Sequence, residues 1–171
     1  MNKIIIAALI SSITFMCSCT KDKPDPGATA AVNMADEWWV KEYLNGTAIT
    51  STYKHIYSYN TSANDNTMWW DDRGGFASTT AAPVNKRFKA TVTADYNALT
   101  FSASNADNLG FASTAGRKVT ITNGKVLKGV GHSKTGNKTD SVFFNIEYSD
   151  DPGKIYTVTG HARTGFIDDD Y

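Results

Sequence analysis

Between residues 37 and 163 the chain is a run of short segments whose apolar residues recur at every second position, separated by turn residues. In an extended strand neighbouring side chains point to opposite faces, so this period of two predicts half-buried strands. In the segment 140–149, Val142, Phe144, Ile146 and Tyr148 fall on one face and Ser141, Asn145 and Glu147 on the other. Phe88, Ala90 and Val92 alternate in 86–93, Leu99 and Phe101 in 98–102, and Val119 and Ile121 in 117–122. Further strands are predicted over 37–44, 53–59, 67–71, 125–130 and 155–163, with a polar loop over 103–116. Asn45-Gly46, Asn123-Gly124 and Asp151-Pro152-Gly153 supply turn chemistry between them. Hairpins in succession imply an all-β, antiparallel, up-and-down order. Closing such a meander into a barrel of about 8–9 strands removes its exposed edges. A two-sheet β-sandwich is the alternative architecture.

Cysteine usage adds a second constraint. The two cysteines, Cys17 and Cys19, both stand at the end of an apolar leader, so no disulfide can staple the predicted strands and burial must hold them. Lys3 is the one charge before Lys21, and 4–16 is an uncharged, mostly apolar run. It is shorter than the ~20 residues that span a bilayer core. Residues 1–18 are therefore predicted to be a lipoprotein signal peptide. Cys19, preceded by the small Ser18, is then the lipidated first residue of the mature chain. Diacylglycerol plus an N-acyl chain such as palmitate anchors stably where one chain is marginal. Residues 19–35, mixing Pro, charge and small side chains, are predicted to be a flexible tether. Residues 36–171 are predicted to be a single domain.

Lys plus Arg and Asp plus Glu each number 17, and this balance argues against a nucleic-acid-binding surface. The expected partners are the membrane, through the anchor, and a small apolar ligand or a glycan. All four tryptophans fall in two adjacent pairs, Trp38-Trp39 and Trp69-Trp70, and Phe143-Phe144 makes a third aromatic pair. Each pair must place one ring inside and one outside. Trp38, Tyr57, Tyr59, Trp69, Phe88, Phe144 and Tyr148 are the candidate lining of an apolar pocket. The outer rings are expected to lie under loops or to form a patch for a sugar or a partner.

No catalytic constellation is evident. Gly131-His132-Ser133-Lys134-Thr135-Gly136 misses the G-x-S-x-G elbow by one residue and lies between two predicted strands, which marks it as a hairpin loop. His55, His132 and His161 are too scattered to assign as metal ligands. The pairs Asp71-Asp72 and Asp150-Asp151 and the run Asp168-Asp169-Asp170 are expected to be solvated turns and a charged tail. Neither a metal nor a cofactor is expected.

Six short motifs carry a family resemblance: Glu37-Trp38-Trp39-Val40, Tyr57-Ser58-Tyr59-Asn60-Thr61-Ser62, Asn66-Thr67-Met68-Trp69, Thr122-Asn123-Gly124-Lys125-Val126-Leu127, Thr139-Asp140-Ser141-Val142 and Gly160-His161-Ala162-Arg163-Thr164-Gly165-Phe166. Together they resemble a lipoprotein family of Bacteroidota-type bacteria described as lipid-binding putative hydrolases. The resemblance implies a calycin-like (lipocalin-like) barrel. It also implies that Trp38 or Trp39 packs against Arg163, with Trp39 and Arg163 the candidate pair. Lys21-Asp22 resembles the short charged signal that sends such lipoproteins to the cell surface, and the expected location is the outer membrane, at its cell-surface or periplasmic face. The function expected is binding of a small apolar or amphipathic, lipid-like ligand. The alternative is a surface module that binds a glycan or a partner through exposed Trp residues, and a hydrolase is the weaker third reading.

Overall fold

The computed structural model describes residues 27–74, 76, 86–110 and 116–171. Cys17, Cys19 and the leader lie outside the described residues. Among the described residues nine strands follow one another: β1 (Asp36–Leu44), β2 (Thr47–Ala48), β3 (Lys54–Asn60), β4 (Thr67–Asp71), β5 (Lys89–Asp95), β6 (Thr100–Asp107), β7 (Lys118–His132), β8 (Lys138–Tyr148) and β9 (Tyr156–Ala162). All pair antiparallel, and β9 returns to pair with β1 from Trp38↔Ala162 to Leu44↔Tyr156. That last pairing closes eight staves into a barrel and excludes the sandwich. The two-residue β2 is peripheral and pairs with the end of β1. The Asn45-Gly46 turn between them has φ 51° and 79°, as a tight hairpin turn requires.

The strand count matches the expectation because two differences cancel: β2 adds a strand, and 117–122 and 125–130 merge into the single β7. Asn123-Gly124 does not turn the chain. It is a bulge within the 15-residue β7, where the pairing with β8 skips from Thr122↔Asn145 to Lys125↔Phe143. The bulge leaves β7 paired with β6 on one side and β8 on the other, so the chain runs on. Gly124 is required there because a Cβ would collide with the Phe101 carbonyl and ring. The 103–116 segment also differs from its expectation. β6 runs on to Asp107 through two register shifts, held by backbone pairing with β7 rather than by an apolar stripe.

The interior is filled along much of its length. Trp70 stacks on Phe101 at 4.5 Å and lies 5.4 Å from Phe144, and Trp38 stacks on Trp70 at 6.0 Å. Phe88 and Phe101 meet Phe144 edge-on at 6.0 and 5.7 Å. Eight staves leave an interior about as wide as the side chains that fill it, and burying each such ring stabilises by roughly 1.5–3 kcal/mol.

The folded unit begins before Asp36, within the stretch read as tether. Met34 N and Ala35 N both donate to the Ala31 carbonyl at 2.8 Å, forming a turn. This turn drives Ala31 and Met34, both fully buried, into one end of the barrel. The described core and every described strand lie between Ala31 and Asp169.

Candidate functional site

Strand parity assigns the candidate residues to faces. Trp38↔Ile56 pairing puts Ile56 and Ser58 inside with Trp38, and Ser58↔Trp70 carries the same parity into β4. Trp38, Phe88, Phe144 and Tyr148 accordingly lie inside, fully buried. Tyr57, Tyr59 and Trp69 do not share that interior, which corrects the expectation. Tyr59↔Trp69 and Tyr57↔Asp71 pairs place them on the outer face. The phenols find polar partners there: Tyr57 Oη meets His55 Nδ1 at 3.1 Å and Tyr59 Oη donates to Asp71 at 2.9 Å. The Arg73 guanidinium lies 3.9 Å from the Tyr57 ring centroid, and Lys89 Nζ 5.2 Å from that of Trp69. Of the third pair, Phe144 is inside and Phe143 outside, with Lys125 Nζ 5.5 Å from its centroid.

Trp39 lies on the outer face, stacked on His55 at 4.6 Å and edge-on to Tyr171 at 5.5 Å. Arg163 is close by. It donates twice to Asp170, at 2.7 and 2.6 Å, and to Glu37 at 3.1 Å. Asp170 faces both Arg163 and Trp39, so this carboxylate links the pair. In the C-terminal acidic run Asp168 is exposed, as expected, but Asp169 and Asp170 are not. Asp169 is fully buried and accepts from Thr135 N and Oγ1 at 2.8 and 2.7 Å and from Thr164 Oγ1 at 2.6 Å. Those donors hold its carboxyl well below the usual carboxylate range. Ser133 lies buried in the β7–β8 hairpin, where its hydroxyl accepts from Asn137 N at 3.1 Å. It serves the turn and also faces the Asp169 carboxylate, and no histidine is among its described hydrogen-bond partners.

The chemistry concentrates at the barrel end opposite the N-terminal turn, which we call the loop end. Here β1 finishes, β5 begins, β8 finishes and β9 begins. Glu42, on the inward parity of Trp38 and Val40, is 2% exposed. Burial pushes its carboxyl up to about 7, against the pull of Lys86 and with the push of Asp72. Asp72 is also buried and is raised to about 6, although it accepts from Gly74 N at 2.8 Å and Phe76 N at 3.1 Å. The expectation of a solvated Asp71-Asp72 turn therefore fails for both residues, which are buried. Tyr148 is wholly enclosed, and burial followed by the charges of Glu42 and Asp72 lifts its phenol well above the usual range.

Lys86 is buried, with its Nζ 3.5 Å from the Tyr156 ring centroid. Desolvation lowers its pKa, and Glu42 and Asp151 counter this. Tyr156 donates a short hydrogen bond to the buried Asp151, which Lys154 also pairs at 2.9 Å. Burial and that carboxylate raise the Tyr156 phenol. The Tyr148 hydroxyl and the Glu42 carboxylate face each other inside this end, and their interaction partly offsets the effect of burial on Glu42.

Glu42, Asp72 and Lys86 did not emerge as candidates from sequence. The usable signal was parity: Glu42 continues the Trp38, Val40 face, and Lys86 continues the Phe88, Ala90, Val92 face. A charged residue on an inward face is the feature to look for.

No curated protein matches the chain. The barrel, its closure by β1 and β9, and its aromatic interior agree with what the six motifs implied. A family model described as lipid-binding putative hydrolase matches residues 23–167, and the chain belongs to that family.

Proposed function

We propose that the protein is an exported lipoprotein, anchored through Cys19 to the outer membrane, whose barrel binds a lipid-like amphipathic molecule at the loop end. The observation that carries the reading is the buried polar cluster of Glu42, Asp72, Lys86 and Tyr148 at one end of an otherwise apolar interior. A ligand's polar group would meet this cluster, and its apolar part would lie against rings such as Phe76, Phe88 and Tyr156. The filled midsection favours this end over a channel through the barrel. Family membership supports the ligand class.

Two measurements test this. Residues 20–171, which hold all described strands and core, purified and examined by native mass spectrometry, are expected to retain or take up a single-chain lipid. Protein that stays at its bare mass after exposure to such lipids argues against binding. Cells fed a clickable palmitate analogue are expected to label the wild-type protein and not Cys19→Ser; equal labelling rules out the anchor at Cys19.

A second reading, glycan binding, is favoured by one feature. An open groove of about 840 Å³ lies on the barrel wall beside the β5–β6 turn, bordered by the Tyr96 ring and by Asn66, Asn97 and Asn123. It does not use the tryptophans that the sequence put forward. Quenching of Tyr96 by oligosaccharides, lost on Asn97→Ala and Asn123→Ala, is the result that would establish it.

A further inference from the structure

The bulge in β7 does more than carry the strand over Phe101. Between Thr122↔Asn145 and Lys125↔Phe143, two residues, Asn123 and Gly124, stand against the single Phe144. In a regular strand Asn123 would turn inward after the outward Thr122. With the bulge, Thr122 and Asn123 are exposed in succession and Gly124 is buried. Asn123 takes φ 55° to do this, a left-handed conformation that asparagine tolerates. The side chain re-aimed in this way borders the open groove beside the β5–β6 turn. The facing bank is fixed as well. Leu99 also stands at φ 55°, a costly conformation for a bulky residue, and its carbonyl accepts from Val126 N at 2.9 Å. That bond ties the β5–β6 turn to β7 just past the bulge. Tyr96 Oη donates to the Thr67 carbonyl at 3.2 Å, which holds its ring against β4. The groove is thus built into the closed wall.

Its lining defines the complementary chemistry. The amides of Asn66, Asn97 and Asn123 and the hydroxyls of Thr93, Thr100 and Ser102 can each donate and accept, as sugar hydroxyls do. Two lining residues are charged, Asp95 and Lys125. Lys125 Nζ lies 5.5 Å from the ring centroid of Phe143 on β8, so it leans across β7 and away from the β5–β6 turn. Asp95 stays in the turn, where its Oδ1 accepts from Asn97 N and Ala98 N, both at 2.9 Å. A uronate or a sulfate in the groove would meet this carboxylate as a like charge. Granted the glycan reading, we propose that the groove takes uncharged oligosaccharides and that the β7 bulge presents Asn123 to them as a selecting residue.

The test applies residues 20–171 to a microarray of uncharged, uronate-bearing and sulfated oligosaccharides. The best binder of each class is then titrated by isothermal titration calorimetry. The uncharged sugar is expected to bind about ten-fold more tightly, or better, than charged sugars of the same length. Asn123→Gly removes the amide and leaves the left-handed backbone accessible. It is expected to weaken the best uncharged sugar about five-fold or more, while the urea midpoint holds or rises. Unchanged affinity in Asn123→Gly overturns the presenting role, since glycine can replace a residue that serves only the bulge. Charged sugars binding as tightly as uncharged ones, or more tightly, overturn the ligand class and leave glycan binding intact. Binding of no oligosaccharide of any class overturns the glycan reading itself. The comparison of sugar classes needs no variant, so it stands even if the substitution impairs folding.

Discussion

The indole Nε1 of Trp38 donates to the Ser58 hydroxyl at 2.8 Å, and that hydroxyl donates in turn to the Met34 carbonyl at 2.6 Å. One side chain on β3 thereby fastens the N-terminal turn to the first stave while satisfying the buried indole. Ser58→Ala would leave the Trp38 N–H and the Met34 carbonyl without this bond. It is expected to lower unfolding stability by about 1–3 kcal/mol, read as a lower urea midpoint. Amide exchange at Met34 and Ala35 should accelerate more than exchange in β8. Uniform acceleration would show that the turn is not an independent latch.

Glu42 gives the protein a pH signature. Its folded pKa of about 7 lies above its ordinary 4.5, and Asp72 is raised likewise, from 3.8 to about 6. The folded state therefore binds more protons than the unfolded state across these windows, and stability falls as pH rises from about 4.5 to 7. The Glu42 part amounts to about 3 kcal/mol at most. Glu42→Gln is expected to flatten the dependence of melting temperature on pH between 5 and 7 and to raise it at pH 8. An unchanged slope would mean that Glu42 titrates normally.

Gly124 permits the β7 bulge to pass over Phe101. Gly124→Ala is expected to cost about 1–3 kcal/mol by overpacking, measured by chemical denaturation. Adding Phe101→Leu should recover part of that loss, because the ring is one of the two obstacles and the carbonyl is the other. No recovery would place the clash wholly on the backbone.

The C-terminal segment is held to the outer wall through Arg163 and Asp170. Arg163→Ala is expected to release Tyr171 from Trp39, seen as changed tryptophan emission and faster amide exchange over 166–171. The barrel transition should move little, since exposed ion pairs add little to global stability. Unaltered exchange would assign the hold to the Asp169 hydrogen bonds instead.

Ser133 offers a check on the hydrolase part of the family description. Ser133→Ala is expected to leave any esterase turnover of a short p-nitrophenyl ester unchanged, because its hydroxyl serves the hairpin. Loss of turnover in a folded variant would reinstate it as a nucleophile.

The period of two in segments such as 140–149, with turns at Asn45-Gly46 and 151–153, determined an antiparallel meander, because alternation and tight-turn chemistry are local properties. The absence of cysteine after Cys19 likewise determined that burial alone holds the core. Parity told that each aromatic pair splits across the wall, but not which member goes in. That choice was made by the register between β1, β3 and β4, which follows from pairing across the sheet. Asn123-Gly124 carries the local signature of a turn, and only simultaneous pairing with β6 and β8 made it a bulge. Asp72, Asp151 and Asp169 carry the sequence signature of solvated acids, and Glu42 that of an ordinary strand residue. Tertiary structure removed them from water, because burial depends on what the closed wall encloses and not on the residues beside them in the chain.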